Sequence, residues 1–132
     1  MHLLNLTLQR ASAINLAVYG NFSGPKAQEI VAVRGSTIEL LRPDDNTGKM
    51  VSVCATDCFA VIRAILPFRL TGATTDYVVL GTDAGKISVL EFIADKNRFK
   101  PVHVETFGKT GCRRAVPGQY LAADPKGRAI MI

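Results

Sequence analysis

The chain is poor in the residues that metal and redox chemistry draw on. Its 132 residues include three cysteines, Cys54, Cys58 and Cys112, and two histidines, His2 and His103. Three cysteines do not build a disulfide framework. A structural zinc site wants four ligands, but Cys54 and Cys58 have no second Cys or His pair near them, and His103 and Cys112 stand apart. A spacing of four along a strand puts Cys54 and Cys58 on one face, which predicts buried free thiols. The histidines fall in unrelated parts of the chain, and no nucleophile–base pair accompanies either, so the pattern of an acid–base enzyme is missing. Long apolar runs are missing too. None approaches the roughly 18 residues that span a bilayer. The start, Met-His-Leu-Leu-Asn-Leu-Thr, lacks the basic residues and long apolar block of a signal peptide, which predicts an intracellular protein. In that setting Asn5-Leu6-Thr7 and Asn21-Phe22-Ser23 are chance matches to the N-glycosylation acceptor.

What is present is a globular composition, 48% hydrophobic and 20% charged, of a length that suits one modest domain. The net charge of +5 is unevenly placed. Residues 1–94 carry eight Lys/Arg against eight Asp/Glu. Residues 95–132 carry eight basic residues, Lys96, Arg98, Lys100, Lys109, Arg113, Arg114, Lys126 and Arg128, against Asp95, Glu105 and Asp124. Such an end faces RNA phosphates or acidic protein, or forms a solvated rim balanced by acids elsewhere in an assembly. A direct RNA reader interleaves aromatics with its cations so that bases can stack. Residues 95–132 offer only Phe99, Phe107 and Tyr120, the first two at strand positions, which predicts that RNA contact is peripheral and made through phosphates.

The segment Glu-Thr-Phe-Gly-Lys-Thr-Gly-Cys-Arg-Arg at 105–114 contains the closing Gly-Lys-Thr of a phosphate-cradling P-loop. The motif needs a glycine five positions before Gly108, where this chain has His103. It must also open a helix, and the following Gly-Cys-Arg-Arg-Ala-Val-Pro-Gly opposes one. No nucleotide cofactor is predicted.

Apolar or alternating runs recur along the chain, bounded by Gly, Pro, Asn and Asp. They predict strands at 3–9, 14–20, 29–34, 37–42, 50–56, 61–69, 77–82, 86–93, 100–106, 119–123 and 128–132. No convincing amphipathic helix stands between them, and Pro67 opposes a helix over Cys-Phe-Ala-Val-Ile-Arg-Ala-Ile-Leu-Pro-Phe. Three hairpins look alike, at 28–41, 76–92 and 119–132, turning at Gly35, Gly85 and Gly127. Four short strands per 40–50 residues point to a β-propeller, with a β-sandwich of similar strand count as the competing fold. Blades stacked on neighbours bury both faces, which accounts for runs such as Tyr-Val-Val-Leu-Gly that do not alternate. The predicted division is a closing strand at 3–9, blade one at 14–56, blade two at 61–107 and the start of blade three at 119–132. Two and a half blades do not close a ring, so the chain is expected to be the front piece of something larger.

The strings Asn-Leu-Thr-Leu-Gln-Arg-Ala (5–11), Gly-Asn-Phe-Ser-Gly (20–24), Glu-Leu-Leu-Arg-Pro-Asp (39–44), Asn-Thr-Gly-Lys (46–49) and Phe-Arg-Leu-Thr-Gly (68–72) carry a family resemblance. So do Phe-Gly-Lys-Thr-Gly-Cys-Arg-Arg-Ala-Val-Pro-Gly-Gln (107–119) and Asp-Pro-Lys-Gly-Arg-Ala-Ile-Met-Ile (124–132). Across nearly its whole length the chain resembles the N-terminus of the splicing factor 3B subunit 3 family. The broader family includes the damaged-DNA-binding adaptor of cullin ubiquitin ligases and the large cleavage-and-polyadenylation subunit. The resemblance implies three seven-bladed propellers in a nuclear scaffold that clasps the helical-repeat subunit and small subunits of the splicing factor 3B complex and supports branch-site recognition. It implies no catalytic residues and no cofactor. On this reading residues 105–114 end the outer strand of the second blade, and Lys109, Arg113 and Arg114 sit on a rim, as a solvated loop or as a contact to a partner or to RNA.

Overall fold

The computed structural model describes residues 2–107 and 120–132. Strands β1 (Leu16–Gly20), β2 (Glu29–Arg34), β3 (Thr37–Pro43) and β4 (Met50–Asp57) form one antiparallel sheet in chain order. Strands β5 (Ile62–Phe68), β6 (Tyr77–Thr82), β7 (Lys86–Ile93) and β8 (Arg98–Thr106) form a second sheet of the same order. A short hairpin follows, β9 (Ala122–Ala123) and β10 (Ile130–Met131). The one helical element among the described residues is a 3-10 turn at Ala94–Lys96, ended by Asn97 in the left-handed conformation.

The two sheets repeat one another in detail. Gly35 and Gly85 turn β2 into β3 and β6 into β7, with φ of +64° and +75°, a region where a Cβ is penalised. In the first sheet Leu40 pairs with Cys54 and Leu41 with Ser52, which leaves Val53 as an extra residue in the outer strand. In the second, Val89 pairs with His103 and Leu90 with Pro101, which leaves Val102 extra at the matching place. A bulge at such a site bends the outer strand and sharpens its twist. Pro67 lies inside β5 opposite Val78. Because β5 is an edge strand, the missing N–H costs no ladder bond on the far side.

The main core lies between the sheets. Val31, Val33, Ile38 and Leu40 of the first pack in one cluster with Ile62, Val78, Leu80, Leu90 and Phe92 of the second. Phe92 meets Phe99 edge to face with ring centres 5.5 Å apart. The other face of the second sheet is covered as well: Phe68, Val79 and Ile87 pack with Leu121, Ala123 and Ile130 of the third unit. This double burial explains why β6 reads as an unbroken apolar run. Val78 and Leu80 face one neighbour, Val79 faces the other, and all three are essentially inaccessible. Each such side chain contributes roughly 1.5–3 kcal/mol by leaving water. Along the stack β1 packs on β5 and β5 on β9, so these are the equivalent strands of three successive units, while β4 and β8 lie outermost.

Two expectations change. The turn at Gly127 is not equivalent to those at Gly35 and Gly85. It joins β9 to β10, which match β1–β2 and β5–β6, and it lies at the opposite rim, against Thr71. The hairpins looked alike because each has two apolar strands around a glycine; the strand it begins with differs. Residues 3–9 form no strand and make no ladder pairing with any described strand, and Leu3, Leu4, Leu6 and Leu8 are exposed. A lent strand needs a partner ladder to order it, and none stands beside it here.

Candidate interaction surface

The stacked sheets present two rims. One carries the loops at 21–28, 44–49, 69–76 and 124–129, and it is built from three interlocked polar joints. In the first, Glu29 opens β2 with its carboxylate fully buried, a position that demands complete hydrogen bonding. Its Oε1 accepts from Ser23 N and Ser23 Oγ, both at 2.8 Å. Its Oε2 accepts from Arg42 Nε at 3.1 Å and Nη2 at 2.9 Å. The second joint crosses between sheets. Asp76 Oδ2 accepts from Asn21 N at 2.9 Å, and Asp76 N donates to Asn21 O at 2.8 Å. Arg69 Nε donates to Asp76 Oδ1 at 2.8 Å and Nη2 to Asn21 Oδ1 at 2.9 Å. Gly20 makes room for this pair: a Cβ there would stand 2.8 Å from Asp76 Oδ2. The third joint ties the second sheet to the third unit. Thr71 Oγ1 donates to Lys126 O at 2.6 Å, and a Cβ on Gly127, whose φ is +70°, would stand 1.9 Å from Arg69 O.

These joints absorb two features met in the sequence. The strings Gly-Asn-Phe-Ser-Gly and Phe-Arg-Leu-Thr-Gly, quoted above only for resemblance, are the two loops that clasp one another. The acceptor triplet at Asn21 is closed to a glycan in this fold: its Nδ2 donates to Ala27 O at 2.6 Å and Phe22 is buried.

The opposite rim carries the turns at Gly35 and Gly85 and the link between the sheets. Cys58 N donates to Ser36 O and Ile62 N to Gly35 O, while Asp83 N donates to Val61 O and Phe107 N to Gly85 O. Phe59 lies in this link with φ of +59°, its N–H donating to Asp57 Oδ1 at 2.8 Å. It is 91% exposed. Beside it a cleft of about 240 Å³ opens between β4 and the pair β7–β8, lined by Thr56, Cys58, Leu80, Leu90, Phe99 and Val104 among others. Sequence reasoning passed over Phe59; an aromatic alone in a link gives no pattern, and its left-handed backbone is visible only in three dimensions.

The titratable residues singled out from sequence do not assemble. His103 Nε2 lies 3.4 Å from Glu105 Oε1 on exposed β8, and His2 lies in the N-terminal segment. Cys54 is on β4, but Cys58 lies just beyond its end, so the two do not share a strand. Both are free and half-buried rather than buried. Burial raises both thiols, and Cys58 is pushed up to about 11, with the charge of Asp57 adding and that of Lys86 opposing. Among the described residues no group of three or more His, Cys, Asp and Glu could hold a metal ion. Lys109, Arg113, Arg114 and Cys112, and the Gly-Lys-Thr at 108–110, lie outside the described residues.

Comparison with known proteins agrees with this architecture. A family model, the RSE1/DDB1/CPSF1 first beta-propeller, matches residues 13–132. Splicing factor 3B subunit 3 of Danio rerio is 59% identical over 132 residues, and that of Drosophila melanogaster 58%. Spliceosome-associated protein 130 A of Arabidopsis thaliana is 56% identical over the same length. Each match covers 100% of this chain and 11% of the relative, so the chain spans a small part of the curated relatives it matches. Four-stranded sheets stacked face to face, with equivalent strands side by side and a third unit begun, are blades of a propeller, and the chain belongs to the RSE1/DDB1/CPSF1 first beta-propeller family.

Proposed function

We propose that this chain supplies blades of the first propeller of a scaffold subunit of the splicing factor 3B complex, acting in the nucleus in branch-site recognition during pre-mRNA splicing. The observation that carries the reading is identity above half along all 132 residues to proteins named splicing factor 3B subunit 3. The joints fit a scaffold. Two carboxylates, the buried Glu29 and the half-buried Asp76, are occupied in holding loops, which leaves blade surfaces to be read by other proteins. We assign the partners as the helical-repeat subunit and the small subunits of the complex, with RNA touched at the periphery. The role is non-enzymatic. The division we assign is blades at 14–56 and 61–107 and a third blade begun at 119–132, with residues 3–9 becoming a closing strand only beside a blade of the longer protein that offers them a ladder.

Within this reading Lys109, Arg113 and Arg114 contact a partner or RNA phosphate; the basic surplus of residues 95–132 supports it. Affinity purification of the full-length protein from nuclear extract is the test. Co-purification with splicing factor 3B subunits, and intron retention on depletion, is the expected result. Recovery with cullin ligase subunits or cleavage-and-polyadenylation factors instead would move the chain to the adaptor or 3′-end branch of the family. Replacing Lys109, Arg113 and Arg114 together by Ser should weaken assembly, with the difference narrowing as salt screens the contacts. Unchanged assembly at every salt concentration would return them to a solvated rim.

A further inference from the structure

We propose that Arg34 and Glu39 form the polar centre of the seam at which the propeller closes, where hydrogen-bonding side chains of a later blade of the same polypeptide cover them.

Alternation along the strands gives the first sheet two faces. Val31, Val33, Ile38 and Leu40 point to the second sheet. Ala32, Arg34, Thr37 and Glu39 therefore share the other face, and the register sets Ala32 opposite Glu39 and Arg34 opposite Thr37. Tyr19, on the same face of β1 and opposite Ile30, is 60% exposed. The second sheet shows what covers such a face. Matching the two bulges aligns Ala32 with Leu80 and Glu39 with Ser88, which stand opposite one another in that sheet. Leu80 is buried there against the preceding blade. By the same packing the face of Ala32 and Glu39 takes the blade that stands before the first around the ring. The residues described are a small part of the relatives they match, at 11%, which leaves ample chain to supply that blade.

The charge pair sets this face apart. The core between the first and second sheets is apolar. Here two charges lie on the face, their side chains 32% and 16% exposed before any blade covers them. They are also poorly bonded to each other. Arg34 Nε stands 3.1 Å from Glu39 Oε2, yet it is buried and forms no hydrogen bond, so its N–H is not aimed at the carboxylate. Burying such a pair costs more in lost hydration than its attraction returns, unless further hydrogen bonds complete it. A covering blade with a purely apolar face would leave both groups unsatisfied. One that brings donors and acceptors to them completes the network. The pair thereby selects the blade that closes on the first and disfavours an out-of-turn neighbour or a second molecule.

The proposal rests on membership of a closed propeller and asks nothing of the splicing reading. Its test uses the full-length protein in two measurements. In the first, a benzophenone amino acid at position 19 is photo-activated and the adduct is mapped by mass spectrometry. The expected cross-link joins position 19 to a segment of the same polypeptide beyond residue 132. A cross-link to residues 2–14, to a second copy or to another protein, or none at all, would overturn the proposal. The second measurement is amide exchange over residues 29–41 in a protein carrying Arg34→Leu and Glu39→Leu together. An apolar covering face would pack on the two leucines at least as well as on the native pair, and exchange would be unchanged or slower. A face that hydrogen-bonds the pair is left with unpaired groups, and exchange should run about tenfold faster. Unchanged or slower exchange beside the expected cross-link would overturn the polar seam while leaving the closed ring standing, so the two failures are told apart.

Discussion

Asp76 of the second blade holds Asn21 of the first from both sides, its carboxylate accepting the Asn21 N–H at 2.9 Å and its own N–H donating to Asn21 O at 2.8 Å. Two residues 55 positions apart thus close a ring of hydrogen bonds across the seam between blades. Asp76→Ala should leave the Asn21 N–H and the Arg69 Nε–H without their acceptor. The expected cost is about 1–3 kcal/mol, the range for an orphaned part-buried donor. Asp76→Asn should cost less. Denaturant unfolding of the intact protein reads both.

Gly127 and Gly48 separate two contributions that usually act together. Both have positive φ, +70° and +69°. A Cβ at Gly48 meets nothing within 4 Å, whereas at Gly127 it would stand 1.9 Å from the Arg69 carbonyl oxygen. Gly48→Ala should therefore cost about 1 kcal/mol of conformational strain. Gly127→Ala should cost more and should pull the third unit from the second, seen as faster amide exchange at Thr71.

Arg42 covers the buried carboxylate of Glu29 through two donors. Its own side chain is half-exposed, which moderates the loss below that of a fully buried pair. Arg42→Ala should cost about 1–3 kcal/mol. Arg42→Lys should recover only part of it, because an ammonium cannot reproduce the paired guanidinium geometry. Thermal melts of the three proteins give the order.

Asp44 and Asp124 organise their turns as carboxylates. Thr47 Oγ1 holds Asp44 below the usual carboxylate range, and Arg128 does the same for Asp124. Depressed folded values mean that the contribution is present above the unfolded value and is lost as pH falls through the folded one. Amide exchange at Gly48 and Lys126 should therefore stay slow down to about pH 4 and accelerate below it. Exchange that is flat through the acid range would show that the turns hold without charge.

Cys58, with its thiol raised to about 11, should be a poor nucleophile. At neutral pH its alkylation should run about a hundredfold slower in the folded protein than in the denatured chain, following the thiolate fraction. Mass spectrometry of the iodoacetamide adducts checks it; equal rates would mean that the site opens freely.

Much of the fold was legible because strand signals here are local. Turn glycines at Gly35 and Gly85, and apolar runs bounded by breakers, placed the strands of both sheets to within a few residues of their observed ends. The third hairpin was misread because its pattern does not say which strand of a blade it begins with; only the contact of Gly127 with Arg69 and Thr71 does. The polar joints were hidden for a related reason. Glu29 looks like an ordinary charged strand end until Ser23 and Arg42 converge on it from two loops. Cys54 and Cys58 were placed on one strand face by spacing, but the strand ends at Asp57, and the link that follows is governed by an aspartate side chain rather than by periodicity.

Arg69 touches both neighbours of its blade. Its guanidinium reaches back to Asn21 and Asp76, while its carbonyl oxygen abuts the Gly127 turn ahead. One residue therefore contacts both seams of its blade. In a closed ring the inter-blade angles must sum to a full turn, and a tilt introduced at one seam is carried into every later blade. The polar joint at Arg69 therefore adds a directional constraint to seams whose area is apolar, so that a change at this one loop residue is expected to be felt by the blades on either side of it.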